Sequence, residues 1–74
     1  MLFRSNAASD AGVAALLAEA GCVGASYNVR INVTALADKT RGTALTAEAK
    51  SLVARTRELA RRTTDLVDTS LGET

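Results

Sequence analysis

Apolar and polar positions alternate strictly along YNVRINVT, Tyr27 to Thr34. Tyr27, Val29, Ile31 and Val33 are apolar while Asn28, Arg30, Asn32 and Thr34 are polar, the period-two pattern of a half-buried β-strand. The flanking chain keeps a different rhythm. In SDAGVAALLAEA, residues 9–20, Val13, Leu16, Leu17 and Ala20 recur at helical spacing. Ser9 is placed there as an N-cap, and Asp10 as a first-turn acid near the positive end of the helix dipole. Residues 35–43, ALADKTRGT, gather charge, threonine and glycine, which predicts a loop. Beyond it Leu45, Leu52, Leu59 and Leu66 recur at every seventh position, with Val53, Ala60 and Val67 following the last three. That spacing predicts an amphipathic helix of about six or seven turns. Glu58 precedes Arg62 by one helical turn, and Gly72 is placed to end the helix.

A strand at 27–34 needs a second strand to pair its backbone groups, and no other segment alternates in this way. Read as helix, Gly21, Ala25, Asn28 and Asn32 fall on one stripe. Asp10, five full turns before Asn28, extends that stripe towards the N-terminus. Val29 and Val33 make a second row and Ile31 a third, as in a helix buried within a larger body. The expected fold is therefore all-α: two long helices joined by a short loop, forming the C-terminal part of a larger multihelical domain.

Composition narrows the chemistry. The chain has 74 residues, one cysteine and no histidine, so histidine-based acid/base catalysis, histidine triads and Cys/His zinc patterns are excluded. A domain of this size buries a marginal core, and without disulfides or a structural metal a partner chain is the remaining support. Cys22, within the small-residue run GCVGA, reads as a small buried side chain, and a lone cysteine suits a reducing, cytoplasmic setting. The net charge is +1 and the aromatic residues are Phe3 and Tyr27, a poor basis for nucleic-acid binding even with Arg55, Arg57, Arg61 and Arg62 close in sequence. No continuous apolar run approaches the ~20 residues of a membrane span, and the opening MLFRS lacks a signal-peptide core.

NAASDAGVAALLAEA at 6–20, GASYNVRIN at 24–32 and the aspartate at 38 together resemble the C-terminal part of the cyclodeaminase/cyclohydrolase family. This is the family of formimidoyltetrahydrofolate cyclodeaminase and the related methenyltetrahydrofolate cyclohydrolases. Ser9-Asp10 and the run Asn28 to Asn32 are the most specific elements. The resemblance divides the chain into a leader outside the family pattern at 1–5, a family segment at 6–71 and a tail at 72–74. It implies a multihelical, homo-oligomeric enzyme. Its substrate would be 5-formimidoyl- or 5,10-methenyl-tetrahydrofolate, with no separate cofactor and no metal, and the chain alone would be inactive. Cyclodeamination with loss of ammonia and hydrolytic opening of the methenyl bridge both stay open.

The same resemblance points to Asn28, Asn32 and Arg30 as substrate-binding residues and to Asp10 as the catalytic candidate. Amides can donate to and accept from a pterin edge, and a carboxylate can move a proton. Arg30 would grip the glutamate tail of folate, or else be solvated or ion-paired. The asparagines would otherwise hydrogen-bond across a tight helix crossing at Gly21, Gly24 and Ala25, and Asp10 would otherwise only cap its helix. Asp10 and Asn28 lie about 27 Å apart along a straight helix, so one subunit cannot bring both to one reacting atom. The rival to an enzyme is an interaction module dimerising through the leucine row, weakened by Thr56, Thr63 and Ser70 at the intervening positions.

Overall fold

The structure is a computed structural model that describes residues 2–72, with side chains from residue 7 onward. Two α-helices account for nearly all of it: α1, Leu2–Val33, and α2, Lys39–Ser70. They pack side by side as an antiparallel hairpin with overall extents of 56 × 16 × 12 Å. Among the described residues there is no strand. Tyr27 to Val33 are the last turns of α1, and Thr34 begins the connection.

Several boundaries differ from the sequence expectation. Because α1 is already helical before residue 9, Ser9 lies inside the helix and caps nothing. The loop is shorter than 35–43, since Asp38 starts α2 one residue before Lys39: its carboxylate accepts from the backbone N–H of Arg41 at 3.0 Å. This satisfies one of the free donors of the first turn. At the far end the Leu71 N–H bonds to the Val67 carbonyl at 2.9 Å, and Gly72 follows with φ +83°. A left-handed residue after the last turn is the ordinary glycine stop, as the sequence predicts.

The largest correction concerns which face of α2 meets α1. Among the residues turned from solvent, Gly42, Thr46, Ala49, Val53, Thr56, Ala60, Thr63 and Val67 are spaced alternately by four and three, with Leu45 and Thr64 beside this row. On α1 the matching row is Ala8, Gly12, Ala15, Glu19, Cys22, Ser26 and Val33. Alternation of four and three is the heptad repeat of a left-handed coiled coil. Here it is made of small residues, so the helices approach closely. A Cβ added at Gly12 would lie 3.3 Å from Val67 Cγ2, and one at Gly42 would lie 2.9 Å from Val33 Cγ1. The Thr56 hydroxyl donates to Cys22 Sγ across the seam at 3.4 Å, so Cys22 is half-buried as a packing residue with a polar partner. Thr63, also in the seam, returns its hydroxyl to the Leu59 carbonyl at 2.9 Å, which explains how a hydroxyl is accommodated there.

The predicted leucine row does not form this seam. Leu45 is half-buried, but Leu52, Leu59 and Leu66 are exposed, Leu59 by 58% and Leu66 by 69%. Each precedes a seam residue by one position, which puts it on a flank of the interface. Val13, Leu16, Leu17 and Ile31 are likewise exposed on α1, so the expected burial of the Val29–Val33 segment is realised only at Val33. Among the described residues the buried apolar side chains are Ala49 and Ala60. Ala7–Val33, with mean hydropathy 1.2, is long and apolar enough by length and composition to cross a membrane. Its alanines, valines and leucines raise the average, while Asp10, Glu19 and Arg30 interrupt any unbroken apolar run.

Candidate functional site

α1 carries two sets of polar groups on opposite sides. Asn28 follows the buried Ser26 by two residues, about 200° of helical rotation, and Asp10 precedes the buried Gly12 by two, so both fall roughly opposite the seam. The stripe Asp10, Gly21, Ala25, Asn28 and Asn32 therefore runs along the side of α1 turned away from α2, and all five residues are exposed. Val13, Leu17 and Ile31 lie within about 60° of the Asp10–Asn28 line. The asparagine amides thus sit in an otherwise apolar surface.

Within the hairpin the polar residues fill neither structural role. Asn28 and Asn32 do not span a helix crossing, because the α1–α2 approach uses Gly12 and Gly42 while a Cβ at Gly21 or Gly24 would meet open space. Asp10 does not cap, because it lies in the helix interior. Both residues stand on one unbroken helix, so their separation of about 27 Å holds.

Arg30 is parted from the asparagines. Two residues from each, it is turned about 160° away and lines a groove of about 280 Å³ between the helices with Ser26, Tyr27, Lys50, Val53 and Arg57. Its guanidinium carbon lies 5.8 Å from the centre of the Tyr27 ring, within reach of a cation–π contact. Ser26 forms the floor, only 5% exposed. Arg57 Nε faces Glu19 Oε2 across the seam at 3.8 Å. Sequence reasoning missed Lys50 as a site residue. Its only mark is that Lys50 and Arg57 each follow a seam residue, Ala49 and Thr56, by one position, on the flank opposite the leucines.

Arg61 and Arg62 of α2 are engaged otherwise. Glu58 accepts from Arg61 at 2.7 Å and from Arg62 at 3.2 Å, and Arg61 reaches Asp65 at 3.1 Å. The Glu58 carboxyl is held below the usual carboxylate range, first by its hydrogen bond to Arg61 and then by that cation's charge. Arg61 is correspondingly raised by the hydrogen bond to Glu58. The expected Glu58–Arg62 pair is present as part of this larger network. Among the described residues no cluster of Cys, Asp and Glu could hold a metal ion.

An antiparallel hairpin sealed by small residues, with its leucines and an amide-bearing apolar face turned outward, is the kind of unit that makes up a layered all-α protein. Residues 2–51, covering all of α1 and the first turns of α2, match the formiminotransferase-cyclodeaminase family, and the chain belongs to that family. Comparison with curated proteins and with solved structures gives no significant match.

Proposed function

We propose that this chain forms part of a folate one-carbon enzyme acting on 5-formimidoyl- or 5,10-methenyl-tetrahydrofolate. The reaction is cyclodeamination with release of ammonia or hydrolytic opening of the methenyl bridge. The observation that carries this reading is the family match over α1, the helix that presents Asn28 and Asn32 one turn apart on a side with no partner in the hairpin. Two amides at that spacing can donate to and accept from the edge of a pterin. Asp10, on the same side but about 27 Å away, serves the other end of a long cleft or a second cleft shared between subunits. The exposed leucines favour homo-oligomeric assembly, because a two-helix layer cannot shelter a ligand on its own outer surface, and the lone Cys22 suits a cytoplasmic setting. An isolated hairpin is accordingly expected to have no turnover.

The test is consumption of 5,10-methenyl- and 5-formimidoyl-tetrahydrofolate by the full-length gene product, followed by absorbance. Replacing Asn28 or Asn32 with alanine should lower kcat/KM roughly fivefold or more, the equivalent of one lost hydrogen bond of about 1 kcal/mol. Unchanged kinetics in both variants would remove the asparagines from the site. A second reading, a helical interaction module without catalytic activity, is favoured by the exposed Leu52, Leu59 and Leu66 row. It predicts stable association with no consumption of either folate by the full-length product.

A further inference from the structure

The groove on the other side of α1 has a chemistry of its own. Arg30, Lys50 and Arg57 line it together. Of the ion pairs among the described residues only the Glu19–Arg57 contact, at 3.8 Å, touches any of the three. The groove therefore holds three cations against one acid. Lys50 and Arg57 are two turns apart on α2, about 10 Å along its axis, so the positive charge is spread along the groove. A compact monovalent ion meets only part of that charge. A ligand with several anionic groups can engage both ends at once, and charge-assisted hydrogen bonds from guanidinium groups favour carboxylate and phosphate oxygens. The Tyr27 ring lies 5.8 Å from the Arg30 guanidinium carbon at the groove, and the buried Ser26 and half-buried Val53 line it between the helices.

We propose that the groove between α1 and α2 bounded by Tyr27, Arg30, Lys50 and Arg57 is a binding site for multivalent anions bearing carboxylate or phosphate groups. Arg30, expected from the resemblance to grip the glutamate tail of folate, is turned away from Asn28 and Asn32, which lie outside this groove, so the inference stands apart from the asparagine site.

Tyr27 is the only tyrosine and the chain has no tryptophan, so intrinsic fluorescence reports directly on the groove. The chain is titrated with citrate and with pyrophosphate, and with acetate at matched ionic strength. Tyr27 emission should change saturably with at least one multivalent anion and only weakly with acetate, and the affinity should fall as salt is added. Saturation by citrate alone identifies a carboxylate ligand, and saturation by pyrophosphate alone a phosphate ligand. The double variant Arg30→Gln, Lys50→Gln should bind roughly tenfold or more weakly, whereas Arg41→Gln, Arg55→Gln, with the same loss of charge outside the groove, should bind as the parent does. No saturable change with either multivalent anion overturns the proposal, as does equal weakening in both double variants. Circular dichroism of each variant shows whether the helices are retained.

Discussion

Glycine has opposite meanings at different positions of this hairpin. At Gly42 an added methyl would meet the Val33 side chain at 2.9 Å, whereas at Gly24 it would meet nothing. Alanine in a helix interior is favoured over glycine by about 1 kcal/mol, but overpacking a fitted contact costs about 1–3 kcal/mol. Gly24→Ala should therefore stabilise the hairpin by about 1 kcal/mol, and Gly42→Ala should leave it unchanged or destabilise it by up to about 2 kcal/mol. Urea or thermal melts followed by circular dichroism give both values. Equal stabilisation by the two substitutions would contradict the close approach at Gly42. The polar candidates were legible as residue types, and the shared line of Asp10, Asn28 and Asn32 follows from helical spacing alone. The two-residue offset of Arg30 turns it away from the asparagines with which the resemblance groups it. Its companions Lys50 and Arg57 could be found only once α2 was laid against α1.

Periodicity identified both helices but not the face by which they meet. In α2 the leucine row and the small-residue seam share the same seven-residue repeat, so the spacing cannot say which of them touches α1. Hydrophobicity favours the leucines, while the close approach permitted by Gly12, Ala49 and Ala60 selects the smaller row. The alternation in YNVRINVT misleads in the same way. Over eight residues a pattern of period two and one of 3.6 overlap, and the continuous helix from Leu2 decides between them. Along the exposed side of α2, the ion pairs around Glu58 make helix stability depend on pH. The folded pKa of Glu58 is lowered, so their contribution is present above the ordinary carboxylate pKa and is lost as pH falls through the lowered value. Helicity should decline on acidification through that range, less so at high salt, and Glu58→Gln should flatten this part of the titration. An acid titration unaffected by Glu58→Gln would show that these pairs add nothing.

As a whole the molecule is a single layer about 12 Å thick, and its two flanks differ in character. One carries Leu52, Leu59 and Leu66, and the other carries Lys50 and Arg57 above Tyr27 and Arg30. Covering an exposed leucine is worth about 1.5–3 kcal/mol, so assembly through the leucine flank should be sensitive to one substitution. Leu59→Gln should weaken self-association roughly tenfold or more while leaving the hairpin helical. Light scattering across a concentration series, with circular dichroism on the same samples, checks this. The sequence by itself determined the all-α class, the glycine stop at Gly72 and the family, because these depend on local spacing and residue type. Only the tertiary structure decided that small residues seal the hairpin, that the leucines face outward, and that Arg30 joins Lys50 and Arg57 rather than the asparagines. Those outcomes depend on which side of one helix meets the other, and several rows of the same period compete for that contact.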